Sequence, residues 1–328
     1  MRRFQCWMAV FVGSLIFVVS SPTMRAADDA TAKKYEQMVD KAVAFLATKA
    51  QADDGSFNAA AGPAVTALVT TAILRQGRSP EDPVVAKSMK YVERFVQADG
   101  GIYAEGTVNK NYETCIAILC FKEANRNGKY DALLKKADAY VKASQWGPTS
   151  EHRAEPHDVT YGGTGYGRTG DRPDLSNTSF FLDALKATGN AADSEAIQQA
   201  LMFVSRCQNL EGPNNTTPFA AKLNDGGFYY TPAAGGNSQA GNDETTGGLR
   251  SYASMTYAGL KSMIYAGLQP DDERVKAAIG WLKKHYDLES NPGLGNQGLY
   301  YYYMTFSKAL SALGQDSFVD EQGASHDW

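Results

Sequence analysis

The chain has 328 residues, 43% of them hydrophobic, with 32 Lys and Arg against 36 Asp and Glu and a net charge of −4. That is enough apolar material for a sizeable core, and the acidic balance argues against a nucleic-acid partner. Four cysteines in such a length exclude a disulfide-dense scaffold.

The first predicted element is a targeting segment. Arg2 and Arg3 precede an apolar run from Trp7 to Val19, followed by Ser20, Ser21, Pro22 and Met24-Arg25-Ala26. This reads as a secretory signal over residues 1–26, too short for a membrane anchor and with a small-residue exit. The reading predicts a secreted, periplasmic or cell-envelope protein with no membrane span after cleavage. Losing Arg2, Arg3 and Arg25 leaves 29 basic residues against 36 acidic. Residues 27–328 follow as a single domain, because no linker rich in Pro, Ser or charge divides them.

Five repeats fill that domain. Each opens on a small residue, an aromatic three positions on and an aliphatic directly after: Ala42/Phe45/Leu46, Ser88/Tyr91/Val92, Ala137/Tyr140/Val141, Ala200/Phe203/Val204 and Ala278/Trp281/Leu282. The aromatic anchors lie 46, 49, 63 and 78 residues apart, so the loops lengthen along the chain. Periods of this size mark stacked supersecondary units, none able to bury its apolar face alone. The opening segment is an amphipathic outer helix: Ala137, Tyr140, Val141 and Ser144 share one face. Gly-rich stops follow at Asp54-Gly55, Asp99-Gly100-Gly101, Tyr161-Gly162-Gly163 and Asp225-Gly226-Gly227.

The second segment of each unit starts near a threonine, at Thr66, Thr114, Thr178, Thr256 and Thr305, and is apolar on most sides. Helices of that kind belong inside. Cys115 and Cys120, five apart on one such helix, point to different sides of it and are poor disulfide partners; with Cys207 they read as buried thiols. Alternating outer and inner helices curve into a ring whose inner helices line a central hole.

The runs Lys41-Ala42-x-x-Phe45-Leu46 with Gln51 and Gly55, Lys87-Ser88-x-x-Tyr91-Val92 with Gln97 and Gly101, and Lys136-Ala137-x-x-Tyr140-Val141 with Gln145 resemble the QW repeat. That repeat is the signature of squalene and oxidosqualene cyclases and of the β subunits of protein prenyltransferases. Phe57, Tyr103 and Phe228 stand where the family has its closing tryptophan. The resemblance implies an all-α fold, an (α/α) toroid with an apolar cavity suited to an isoprenoid chain. Six hairpins are expected for a closed ring and about five are present. The reading therefore expects an uncovered apolar face at the end of the array, closed by a partner or left by truncation.

The family's chemistry is less visible. Class II cyclases protonate an alkene with a DxDD acid, and no DxDD occurs; the nearest carboxylates are in Asp171-Arg172-Pro173-Asp174 before the third inner helix. Asp174 is a candidate acid there, and equally a helix cap. Glu113, on the second inner helix, is the other candidate, because carboxylates are rare on buried faces. Asp271-Asp272-Glu273 lacks the second half of a DDxxD magnesium motif and looks like a helix start. Arg250, Tyr252 and Tyr302 fall where prenyltransferases hold zinc, and none is a zinc ligand. His152, Glu155, His157 and Asp158 share a polar loop that by chance or design gathers imidazoles and carboxylates.

No metal or other cofactor is expected. Aromatic residues at the loops and inner-helix starts are the candidate ligand contacts: Tyr166, Tyr229, Tyr252 and Tyr302, with Asn177 beside Asp174. The expectation is a protein that binds an isoprenoid or other apolar molecule, or serves as an envelope scaffold for a protein partner. The alternative is an active cyclase or transferase with a noncanonical acid.

Overall fold

The computed structural model describes residues 29–167 and 172–328. The segment read as a signal peptide and Asp171 lie outside them. The chain divides into two units, one ending at Leu46 and the other running from Ala47 to Trp328.

In the first unit α1 (Asp29–Phe45) is a helix that leaves Tyr35, Met38 and Phe45 more than half exposed. Its anchor Phe45 is 60% exposed, whereas Tyr91, Tyr140, Phe203 and Trp281 of the later repeats are 4% exposed or less.

The second unit contains the inner helices α2 (Pro63–Arg75), α4 (Lys110–Glu123), α6 (Leu175–Ala187), α9 (Ala253–Tyr265) and α11 (Leu299–Leu313). Outside them lie α3 (Pro83–Glu93), α5 (Asp131–Ala143), α7 (Glu195–Arg206) and α10 (Glu273–Lys284), with the short α8 (Ala220–Leu223) in a loop. Each inner helix packs on the next, α2 on α4, α4 on α6, α6 on α9 and α9 on α11, while the outer helices pack behind them. This is the arrangement of an (α/α) toroid. The burial explains it: every residue from Glu113 to Phe121 of α4 is buried, whereas α5 buries only Leu134, Ala137, Tyr140 and Val141.

The repeated polar residues are fasteners within and between repeats. Thr66, Thr114, Thr178 and Thr256 each accept, through the hydroxyl oxygen, a hydrogen bond from the backbone of the preceding Gly-rich loop at 3.0–3.1 Å. Gln51, Gln145 and Gln208 each donate to a carbonyl in the first turns of the next outer helix, at Val84, Ala196 and Arg274, at 2.8–2.9 Å. Gln97 departs from the pattern and donates to Tyr103 O. Gly162 has φ +82° and sits so close to α7 that a Cβ would lie 1.8 Å from the Gln199 carbonyl oxygen. Only glycine fits there.

Beyond α11 a two-stranded antiparallel hairpin, β1 (Ser317–Val319) and β2 (Ser325–Asp327), folds back. Phe318, 2% exposed, stacks on Tyr286, as does His326, and Trp328 meets the edge of Phe306. The backbone of Glu321 donates to Lys283 O of α10. The apolar face expected to lie open after α11 therefore carries this hairpin. Helical periodicity could not reveal it, since three-residue strands leave almost no pattern. Among the described residues no helix is long and apolar enough to cross a membrane.

Candidate functional site

The inner helices run parallel, so their N-terminal ends gather at one end of the ring and their C-terminal ends at the other. Asp174 sits at the first end, as the N-cap of α6. It is 2% exposed, and its two oxygens accept from Asn177 N at 2.9 Å and Asn177 Nδ2 at 2.8 Å. Thr178 closes the corner by donating to Asp174 O.

Phenols crowd around this cap. The Leu175 amide donates to Tyr230 O, and the Arg172 guanidinium lies 5.7 Å from the Tyr230 ring centre. Burial, with Asp174 and Tyr166 beside it, holds the Tyr230 phenol far above its ordinary range. Burial does the same to Tyr252, the N-cap of α9, whose neighbours include Tyr301 and Asp174. These phenols therefore stay neutral donors. Tyr301 meets Ser176 at 3.0 Å. Rings continue across the axis: Tyr166 to Tyr112 at 5.8 Å, Tyr112 to Phe180 at 5.5 Å and Phe180 to Tyr301 at 6.2 Å. Side chains from α4, α6 and α11 thus adjoin one another at this level.

The structure brings together Asp174, Asn177, Tyr166 and Tyr252 of the residues singled out in the sequence. Glu113 stands apart, beside a cavity of about 400 Å³ lined by Ala60, Gly62, Ala104, Thr107 and Tyr112. Its carboxylate accepts from Ala104 N at 2.8 Å and Thr107 Oγ1 at 2.7 Å, fastening the 104–107 loop. Burial pushes the Glu113 carboxyl above its ordinary pKa, and those two donors partly offset the shift. Tyr229 packs outward, donating to Arg206 O at 2.5 Å with its ring against Phe219. Tyr302 donates to Asp287 O at 2.5 Å and packs among Tyr257, Tyr303 and Phe306.

Asp272 caps α10 by accepting from Arg274 N. In the polar loop His152 stacks on Trp146 with ring centres 4.7 Å apart. Among the described residues no three His, Cys, Asp or Glu side chains are placed to hold a metal ion.

One further level down the axis lies a charged cluster. Asp183 of α6, 6% exposed, receives Lys261 of α9 on Oδ1 at 2.6 Å and Lys308 of α11 on Oδ2 at 2.7 Å. Burial acts to raise the Asp183 carboxyl, but the two lysines outweigh it and hold it below the usual range. Beyond the cluster all five inner helices surround a cavity of about 530 Å³ at their C-terminal ends. The sequence carried a signal for it. Asp183 and Lys261 interrupt helices that are otherwise apolar all round, where a charge can only meet another charge.

A family model described as the squalene-hopene cyclase C-terminal domain matches residues 39–231, more than half of the chain. A search of curated proteins finds no match.

Proposed function

We propose, given that the chain belongs to the family of the squalene-hopene cyclase C-terminal domain, that this protein is a binding member of it, keeping the toroid to hold an isoprenoid-like apolar molecule without protonating it. The observation that carries this reading is Asp174: the buried carboxyl nearest a cyclase acid is the N-cap of α6, and each of its oxygens accepts from Asn177. A carboxyl engaged as a helix cap serves the fold, and the chain lacks the DxDD motif whose acid protonates an alkene. The rings of Tyr166, Tyr112 and Tyr301 offer the apolar surface that a ligand would meet at that end.

Export fits this role. It rests on residues 1–26, and N-terminal sequencing of the protein recovered from the cell envelope tests it, with a start near Ala26 or Ala27 expected.

The main experiment incubates the mature protein with a lipid extract of its own envelope fraction, washes it and identifies what is retained by mass spectrometry. A specific polyprenyl or triterpene species is expected, retained by wild type and reduced in Tyr166→Ala, a half-exposed position whose loss spares the core. Conversion of that species, abolished in Asp174→Asn, would instead make the protein an active cyclase. A second reading rests on α1, which leaves Tyr35, Met38 and Phe45 exposed by 54–60%. That face suits a protein partner, and retention of no lipid would move the function there.

A further inference from the structure

The cavity at the C-terminal ends of the inner helices is lined by Arg75, Lys122, Lys186 and Lys308 with Glu123 and Asp183, and walled by Leu119, Ala187, Tyr265 and Trp328. Lys261 stands directly behind Asp183. Four cations thus line the cavity against two carboxylates, with Lys261 behind them, in a chain whose net charge is −4. Basic side chains in the last turns of helices complement the helix dipole, which accounts for Arg75, Lys122 and Lys186. It does not account for Lys261 and Lys308, which lie within the bodies of α9 and α11.

The cations are also crowded. Glu123 is taken by Arg75 at 2.7 Å, and Asp183 has both oxygens occupied. The ammonium groups of Lys186 and Lys261 lie over the same Tyr265 ring, at 5.4 and 5.6 Å from its centre. Like charges converging in a concave site with apolar walls focus a positive potential, and an anion entering it relieves the repulsion. Lysine ammoniums act as point charges toward phosphate, and an excess of this size matches a dianion better than a carboxylate.

We infer that this cavity binds a phosphate monoester with an apolar body, its phosphate between Lys308, Lys186 and Lys122 and its body against Leu119, Tyr265 and Trp328. The site lies at the opposite end of the inner helices from Asp174, and the inference stands independently of the apolar-ligand reading.

The test is isothermal titration of the full mature chain at low salt with phenyl phosphate, inorganic phosphate and benzoate. Phenyl phosphate is expected to bind at least tenfold more tightly than either of the others, and to weaken as salt rises. Lys308→Gln is expected to weaken phenyl phosphate at least tenfold and Lys186→Gln several-fold. Lys142→Gln, on the outer helix α5, should change nothing. Lys308→Gln leaves Asp183 paired with Lys261; if it nevertheless fails to fold, Lys186→Gln carries the test from a solvent-facing position. No heat from wild type at millimolar phenyl phosphate, or unchanged affinity in the folded lysine variants, overturns the inference.

Discussion

Gln145 and Ala196 stand fifty-one residues apart in sequence, yet Gln145 Nε2 lies 2.8 Å from the Ala196 carbonyl oxygen while also donating to Gly162 O at 2.9 Å. One amide thus ties the loop after α5 to the first turn of α7. Gln208 makes the same double contact with Gly226 and Arg274. The array is held between units by these bonds as well as by packing.

Replacing Gln145 by Leu leaves two buried carbonyls without that donor. We expect a loss of about 2–3 kcal/mol in urea unfolding, since each orphaned buried acceptor costs about 1–3 kcal/mol and local relaxation recovers part of it. The same change at Gln97, whose amide bonds only its own loop at Tyr103 O, should cost less. Equal losses at the two positions would show that the contact between repeats adds nothing.

Gly162 and Gly189 separate two effects that a glycine substitution usually mixes. Both have positive φ, +82° and +89°, but a Cβ at Gly189 meets nothing within 4 Å, whereas at Gly162 it would overlap the Gln199 backbone. Gly189→Ala should cost about 1 kcal/mol, the conformational strain alone. Gly162→Ala adds an overlap that only movement of α7 relieves, so we expect at least twice that loss in the same measurement. The comparison isolates the close approach of loop and helix.

The architecture was legible because its signals repeat. The anchors at Tyr91, Tyr140, Phe203 and Trp281, the glycines and the threonines each recur at the same stage of a unit, and each proves to have the same partner class. Asp174 was legible as a cap for the same local reason. What escaped depends on pairs far apart in sequence. Nothing near Tyr229 distinguishes a phenol aimed at Arg206 O from one aimed at the axis, and consecutive tyrosines from Tyr300 to Tyr303 point all round their helix. Asp183, Lys261 and Lys308 become a site only when α6, α9 and α11 stand side by side. The hairpin over Tyr286 is too short for any periodic signal.

Asp174→Asn and Asp174→Ala separate capping from chemistry. Asparagine keeps an acceptor for the Asn177 amide, so we expect a cost below about 1 kcal/mol, while alanine removes the cap and strands the Asn177 side chain, at about 2 kcal/mol. With Asp174 as a cap, lipid retention by the asparagine variant should equal that of wild type. A variant of full stability that loses a chemical conversion would assign Asp174 to catalysis instead.

Asp183 and its two lysines make the sharpest prediction. Asp183→Asn leaves Lys261 and Lys308 facing each other without a counter-charge, and breaking a buried pair in this way typically costs about 3–5 kcal/mol. Lys261→Met is gentler, because Asp183 keeps Lys308 at 2.7 Å. Burial drives Lys261 down to about 8 against the opposing pull of Asp183, with Lys308 adding to the push. Below pH 8 the ammonium is charged in both folded and unfolded chains, and its contribution does not vary. Between pH 8 and the unfolded value of about 10.4 the folded chain has released that proton and the unfolded chain has not. The unfolded state then binds more protons, so stability rises with pH across this window. Urea unfolding of wild type and Lys261→Met from pH 7 to pH 10 reads the effect as a difference, which cancels every group the two proteins share. Wild type should gain on the variant steadily above pH 8 and run parallel to it below. A constant difference across the whole range would mean that Lys261 keeps its ordinary affinity for the proton, and that the cluster at the axis is far wetter than its burial indicates.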